Sequence, residues 1–435
     1  MSEIFDKLII AILFVSAYSV LISILNLFSF QKPKPLSPKN KSKVSVLIPC
    51  RNEENNIVEC VESLLIQDYQ NLEILLIDDN STDNTWAQIK NLSEKYSHVS
   101  AYKGRALPNN WTGKNWACHQ LSQKAKGEYF LFIDADTKQA KYSISSALKH
   151  LEDKNLEFIT LVPKRNIFNF TDYLIWIMVS WFIFSWIPFY IAKKLPFSIF
   201  AAGFGQFLFF NKEAYLKIGG HKKISNLVLD DFELARSIKS NGFNSDILDG
   251  THLIETKGYT SSIEAVDGHA KAIFATFRYN ILLFAFAFFG LILLFYVPWL
   301  NLISYFFQIE LSAQHILISF LSIGFLFLSI LISTKAFSLS IFSSFLNPIA
   351  MLVLLFSGYR SFLSSFDGDI KWKGNYFETP PILNSIKDID IVKNTEYNPI
   401  YGESYYMTFL RVFPLWNEIQ LKINNNEVPM LCAHK

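Results

Sequence analysis

The sequence predicts an α/β domain with a mostly parallel sheet, carried by apolar helices long enough to cross a bilayer. Three observations lead there. From Val44 to about Tyr259, short apolar runs alternate with polar, helix-like stretches, the pattern of βα units in a parallel sheet. Charge-free apolar stretches of about 20 residues flank this region on both sides, enough to span a hydrocarbon core. Of the 435 residues, 51% are hydrophobic and only 18% charged, where a soluble chain carries about 25% charged residues. That balance excludes both a wholly soluble chain and a disordered one.

The first element is the uncharged segment Leu8–Phe30. It lacks a small-residue cleavage site and so reads as an anchor, not a removed signal. Lys32, Lys34, Lys39, Lys41 and Lys43 follow it among prolines, while Lys7 is offset by Glu3 and Asp6. This asymmetry puts the domain that follows in the cytoplasm of a cell membrane. Residues 1–43 are thus an anchor and basic linker.

Within 44–259, strands are expected at Val44–Ile48, Leu72–Ile77, Phe130–Ile133 and Phe158–Val162, with helices at Ile57–Gln67 and Thr85–Tyr96. The domain carries a hydrophobic insert, 173–200. Its stretch Tyr173–Ala192 is uncharged and Trp-rich. A single crossing there would part the acidic motifs on either side of it, and Pro188, the aromatics and Lys193–Lys194 suit an interfacial or re-entrant helix.

Residues 260–280 are expected to form an interfacial amphipathic helix. Residues 281–358 contain three span candidates: Ile281–Phe307, Ile316–Ser333 and Phe337–Ser357. Glu310 is the only Asp, Glu, Lys or Arg between Ile281 and Thr334. Three spans would leave the tail, 359–435, outside, whereas Arg360, Lys371 and Lys373 favour inside. A re-entrant candidate or a break at Pro298 would reconcile the two.

The net charge of +2 is too small for a nucleic-acid partner. Cys50, Cys60, Cys118 and Cys432 have no CxxC or zinc spacing and read as reduced thiols. Spans nearly free of charge argue against a transporter.

The chemistry sits at strand ends. The first strand runs into Pro49-Cys50-Arg51-Asn52-Glu53, a strand-to-helix turn whose N–H groups suit an anionic ligand. The second ends in Asp78-Asp79, adjacent carboxylates whose repulsion calls for a ligand or donor. Ser81 and Asp83 are explained in part by capping the next helix. Phe130–Ile133 delivers Asp134-Ala135-Asp136, carboxylates at i and i+2 that make a hard-oxygen site for Mg²⁺ or Mn²⁺. Asp230-Asp231 opens a helix, where acidic residues also serve the helix dipole. Lys114 precedes the metal strand and could neutralise a phosphate, or simply be a surface lysine.

Together, Pro49-Cys-Arg-Asn-Glu53, Asp78-Asp79-Asn-Ser81, Gly113-Lys114, Asp134-Ala-Asp136 and Asp230-Asp231 resemble the family 2 inverting glycosyltransferases of GT-A fold. The order and spacing agree over about half of the chain. Gly203-Phe-Gly-Gln206, Glu213-Ala214 and Gly219-Gly220-His221 resemble the acceptor-side stretch of that family. The Trp111-Thr-Gly-Lys114 string with Trp116, the insert, and Trp372-Lys-Gly-Asn375-Tyr376 look like the membrane enzymes of carotenoid and hopanoid pathways. Asn375 stands where that motif has Arg.

The resemblance implies roles. Pro49, Arg51, Asn52, Glu53, Asp78 and Asp79 would hold the nucleotide of a UDP-sugar, with Lys114, Asp134, Gly203 and Gln206 completing the donor site. Asp134 and Asp136 would bracket the cation, and Asp231, beside Asp230, would be the general base toward a membrane-dissolved, lipid-like hydroxyl. Lys257 and His252 are further candidates at the diphosphate, His252 being the weaker. Polymer synthases of the family carry Gln-x-x-Arg-Trp where this chain has Ala275-Thr-Phe-Arg278-Tyr279, so single transfer is favoured over processive synthesis. A catalytically silent membrane scaffold on the same fold is the other alternative.

Overall fold

The computed structural model describes residues 2–35, 41–307, 312–367, 370–372 and 375–377. In chain order, α1 (Ser2–Ser29) is followed by β1 (Val44–Cys50), α2 (Ile57–Leu65), β2 (Leu72–Asp78), α3 (Thr85–Lys95), β3 (Val99–Lys103) and α4 (Gly113–Lys124). Next come β4 (Tyr129–Phe132), β5 (Thr137–Gln139), α5 (Ser143–Asp153), β6 (Phe158–Val162) and β7 (Lys164–Asn166). The insert holds α6 (Phe170–Trp186) and α7 (Phe189–Lys194). The domain resumes with β8 (Leu208–Asn211), α8 (Lys212–Lys217), α9 (Gly220–Lys223), α10 (Asp230–Ser240), β9 (Ser245–Asp249) and β10 (Ile254–Lys257). Then follow α11 (Ser262–Thr276), α12 (Ile281–Phe306), α13 (Ala313–Ala336), α14 (Asn347–Asp367) and a hairpin of β11 (Ile370–Trp372) and β12 (Asn375–Phe377).

The main sheet has the order β3-β2-β1-β4-β8-β6-β9. Every neighbouring pair is parallel except at β8, which runs antiparallel to β4 and β6. Side chains alternate across it. Val44, Val46 and Ile48 pack into one core and Leu47 into the other, so the first strand reads as a continuous apolar run buried on both faces. A small sheet, β5-β10-β7, sits beside it. The strands that the sequence does not announce are those of three to five residues with polar positions: β3, β5, β7, β8, β9 and β10.

Among the described residues, four helical segments are long and apolar enough to cross a membrane: Glu3–Ser29, Ile281–Phe306, Ala313–Ala336 and Ile341–Ser365. Pro298 lies inside α12 without dividing it. The proline forfeits one backbone bond, but in apolar surroundings opening further bonds would cost more than the kink. Serines join the helices. Ser23 Oγ lies 2.8 Å from Ser185 Oγ, Ser185 Oγ lies 3.1 Å from Ser333 Oγ, and Trp181 Nε1 donates to Ser329 Oγ at 2.9 Å. Small polar residues let apolar helices approach closely while their hydroxyls stay bonded.

The last apolar segment leaves the domain side of the bundle and comes back to it. Phe337 packs on Phe30, one residue before Gln31, whose carbonyl accepts from Asp249 N of β9. Phe345 then meets Phe327, and the Pro348 carbonyl accepts from Tyr296 OH, about 22 Å along α12 from its start. From there α14 climbs back until Ser361 Oγ accepts from Phe274 N of α11. Both ends of 337–361 therefore lie on the domain side.

The ends of α6 are also both at the α/β domain. At its start Asp172 is bound by Arg165, and beyond its end α7 is tied to β9 through Lys193 and Asp246. Between them, Leu174, Ile175, Ile177 and Met178 are buried against residues of α12, α13 and α14. The expectations resting on Lys39, Glu310, Lys373, Cys432 and 378–435 lie outside the described residues.

Candidate active site

Parallel strands bring their C-terminal ends to one edge of the sheet, and there the acidic motifs collect. β1 and β2 pair in register up to Cys50 opposite Asp78, so the turns after them meet. These turns are laced together by side chains. The N–H groups of Asn52, Glu53 and Glu54 donate to Ser81 Oγ, Thr85 Oγ1 and Asp83 Oδ2, and Thr82 N donates to Asn52 Oδ1. The N–H groups of Asn52 and Glu53 in the Pro49–Glu53 turn are thus bonded within the protein. Short polar side chains of the second turn take these bonds locally.

What this edge offers instead is carboxylates. Asp78 and Asp79 are buried. Burial, then the Asp78 charge, push Asp79 up to about 6 against the opposing pull of Arg51. Arg51 also donates to the Asp79 carbonyl at 2.8 Å.

Antiparallel pairing of β4 with β8 places Phe132 opposite Leu208. Residues leaving β4 therefore meet those entering β8. Gln206 Nε2 donates to Asp134 Oδ2 at 3.2 Å. Lys114, in the first turn of α4, lies 3.0 Å from Asp134 Oδ1 and 3.2 Å from Asp230 Oδ2. Burial alone would lower this ammonium, but Asp134 and Asp230 hold it well above the ordinary lysine value. Asp231 opens α10, accepting from Phe232 N at 2.8 Å and from Gly205 N at 3.2 Å. Burial first, then the Asp230 charge, push it up to about 7, with Lys114 pulling the other way.

Two glycines make this approach possible. A Cβ on Gly203 would lie 2.8 Å from the Asp231 carbonyl carbon, and one on Gly205 would fill the space 3.2 Å from both Asp134 Oδ2 and Lys114 Nζ. Gly203→Ala is expected to displace the start of α10 and lower activity about 100-fold, since an ångström of misplacement costs that much. Steady-state rates beside an unchanged circular dichroism spectrum would check it.

The fit to a divalent cation can be judged from the same atoms. Hard carboxylate oxygens from Asp134 and Asp136 stand at a strand end, the set already attracts a cation in Lys114, and Gly205 leaves room beside Asp134 Oδ2. These residues suit Mg²⁺ or Mn²⁺. Among the described residues no group of three or more His, Cys, Asp or Glu is arranged to hold a metal ion by itself.

Other candidates are placed elsewhere. Lys257 Nζ reaches Asn56 Oδ1 at 2.7 Å, at the start of α2. His252 is exposed, between β9 and β10, and bonds to none of these carboxylates among the described residues. Arg278 joins Glu233, one turn beyond Asp230, at 3.2 Å. Trp111 packs on Trp116 and His119, and Trp116 Nε1 donates to the Arg105 carbonyl, bracing the loop ahead of Lys114.

Some contributors went unnoticed in the sequence. Buried Asn115 donates to the carbonyls of Ile224, Ser225 and Leu227, fixing the loop that presents Asp230. The Thr112 cap places it beside Lys114, so its position in the Trp111–Trp116 string was the available signal. His221, behind Asp230, had only its Gly-Gly-His context.

Residues 45–219 match the family described as Glycosyl transferase family 2. A 4,4'-diaponeurosporenoate glycosyltransferase of Staphylococcus haemolyticus is 22% identical over 56% of this chain and 64% of its own length. The Escherichia coli UDP-Glc:alpha-D-GlcNAc-diphosphoundecaprenol beta-1,3-glucosyltransferase WfaP is 32% identical over 26% of this chain and 43% of its own length. An uncharacterized glycosyltransferase of Rickettsia felis is 36% identical over 27% of this chain, and the chain spans only 18% of that relative. Among solved structures, the mannosyltransferase PcManGT of Pyrobaculum calidifontis, in complex with GDP-Man and Mn²⁺, aligns with a TM-score of 0.49 and 16% identity over 82% of this chain and 98% of its own. Residues 45–219, the greater part of the α/β region, form a Glycosyl transferase family 2 domain.

Proposed function

We propose that the chain is a membrane-bound inverting glycosyltransferase that moves one sugar from a nucleoside-diphosphate sugar, a UDP-hexose, to the hydroxyl of a lipid-like acceptor. The observation that carries this is the convergence of Lys114, Asp134, Asp230 and Asp231 from three separate elements onto one sheet edge. The organisation follows the sequence boundaries: anchor and linker 1–43, catalytic domain 44–259 with insert 173–200, interfacial helix 260–280, apolar helices 281–358 and tail 359–435.

In this reading the nucleotide lies over Arg51, Asp78 and Asp79. Asp231 accepts the proton of the acceptor hydroxyl, which attacks the anomeric carbon as the bond to the diphosphate breaks. Gly205 N and Phe232 N hold that carboxylate in place. Lys114 offsets charge on the leaving group. A bound Mg²⁺ or Mn²⁺, held by Asp134 and Asp136, would supply Lewis-acid stabilisation of the same charge. The link from Arg278 to Glu233 ties the end of α11 to the catalytic helix, which supports entry of the acceptor from the apolar bundle. Relatives named for a diphosphoundecaprenol and a carotenoid acid acceptor favour a lipid-like hydroxyl.

Purified protein in lipid nanodiscs, given Mn²⁺, a panel of nucleotide sugars and a lipid extract, should release nucleoside diphosphate and add one sugar per acceptor. Asp136→Ala should lower that release by about 100-fold or more. Unchanged turnover in this variant would overturn the assignment, and multiple additions would point to processive synthesis. Because 337–361 returns to the side it left, cysteines at Ser338 and Arg360 should be labelled from the same side as one at His252. Labelling of the Arg360 position from the opposite side would overturn this arrangement.

A further inference from the structure

Behind the carboxylates stands a histidine with one nitrogen unspent. His221 is 0% exposed, packed against Phe132 with ring centroids 4.7 Å apart. Its Nδ1 lies 2.8 Å from Tyr215 OH, and its own backbone N–H donates to the same phenol oxygen at 3.2 Å. Its Nε2 has no hydrogen-bond partner among the described residues and points at Asp230 Oδ2, 4.0 Å away. A buried polar atom without a partner is rare and calls for an explanation.

The tautomer follows from the neighbours. An unprotonated Nε2 would set its lone pair against a carboxylate, so the proton belongs on Nε2. Nδ1 then accepts from the Tyr215 hydroxyl. The ring stays neutral, because burial and the Lys114 charge both disfavour a second proton. The Asp230 oxygen that His221 faces is the one that Lys114 also holds, at 3.2 Å. Lys114 has two claims on it, since it also binds Asp134. If its ammonium is drawn toward a diphosphate, Asp230 loses the full positive charge it is paired with, and the carboxylate beside the base would swing free.

We propose that His221 is a positioning residue that holds Asp230 through its Nε2–H and so keeps the Asp230–Asp231 pair aligned while Lys114 serves the leaving group. The proposal rests on the transferase reading above. It also explains why a histidine, bonded on one side only, is kept in a pocket that an aromatic hydrocarbon could fill.

The test has two arms on the full-length protein in nanodiscs. Nitrogen-15 NMR of labelled histidines, with the His221 signal identified by its loss in His221→Phe, should report a neutral ring protonated at Nε2. A ring protonated at Nδ1, or doubly protonated, overturns the proposal. In the kinetic arm, His221→Phe should lower kcat about tenfold with the donor KM within about twofold, the worth of one bond to a charged group. His221→Gln, whose amide restores a donor near Nε2, should recover most of that loss at an equal thermal midpoint. Equal rates for the two variants, or a Phe variant as active as the wild type, overturn it. A wild type that turns over no sugar nucleotide, yet shows the Nε2–H tautomer, overturns the transferase reading instead.

Discussion

Asp231→Asn is expected to lower kcat by about 10³-fold while changing donor affinity only a few-fold, because a positioned general base contributes about 10²- to 10⁴-fold. The amide matches the carboxylate in shape, so α10 keeps its place. It has lost the charge that receives the proton, and its NH₂ group cannot accept from both Gly205 N and Phe232 N as the two carboxylate oxygens do. Donor binding is spared because Arg51, Asp78 and Asp79 lie at the ends of other strands.

The pH dependence has a definite sign. Burial, Asp230 and Asp134 push Asp231 up to about 7, with Lys114 opposing. Its working form is the carboxylate, so kcat/KM should rise with pH through a limb near 7 that reports the free enzyme. For stability the same shift acts in reverse. The folded state holds this proton more tightly than the unfolded chain, so the contribution is complete below the ordinary value of 3.8 and fades as pH rises toward 7. A pH–rate profile with an alkaline-shifted limb, absent from the residual rate of Asp231→Asn, would check the assignment. A limb below pH 5 would contradict it.

The carboxylates were legible in the sequence because they end apolar strands, and an apolar run that stops at an acid announces both the strand and the edge it reaches. Val44–Cys50, Leu72–Asp78 and Tyr129–Phe132 lie within one or two residues of the expected bounds. The site's supports were not legible. Gly205 and Asn115 act through contacts with residues roughly 25 to 110 positions away in sequence, and His221 acts through Phe132 across the fold as well as nearby Tyr215 and Asp230; such contacts have no periodic signature. The Pro49–Glu53 turn reads as a ligand cradle when taken alone; only its pairing with the second turn reveals that Ser81, Asp83 and Thr85 use its N–H groups. Length counts Phe337–Ser357 as a span candidate, and Ile341–Ser365 is long and apolar enough to cross; that both ends of 337–361 meet the domain side shows only in contacts such as Phe337 on Phe30 and Phe274 N with Ser361 Oγ.

The second large effect is expected far from the carboxylates, at Asp172. This side chain is 0% exposed, yet it accepts from Arg165 Nε and a second guanidinium nitrogen at 3.1 Å each, from Tyr259 N at 3.1 Å, and lies 3.0 Å from His269 Nε2. One carboxylate therefore joins the start of α6, β7, the turn after β10 and α11. Arg165 is further held between the rings of Trp176 and Tyr259, so it cannot swing to water if its counter-charge is lost. Asp172→Asn should destabilise the protein by about 3–5 kcal/mol, the cost of leaving one charge of a buried pair unpaired. Replacing both partners, as Asp172→Leu with Arg165→Met, should recover much of that loss, because two apolar groups leave no stranded charge. Thermal inactivation half-lives of the wild type, Asp172→Leu, Arg165→Met and the double variant in nanodiscs would measure the coupling, and additive effects of the two substitutions would contradict it. The pair should matter for turnover as well. Tyr259, whose N–H is bound by Asp172, is close enough to Asp136 and Asp134 for their charges to help push its hydroxyl up to about 12, after burial, and loosening its turn would loosen the surroundings of Asp134 and Asp136.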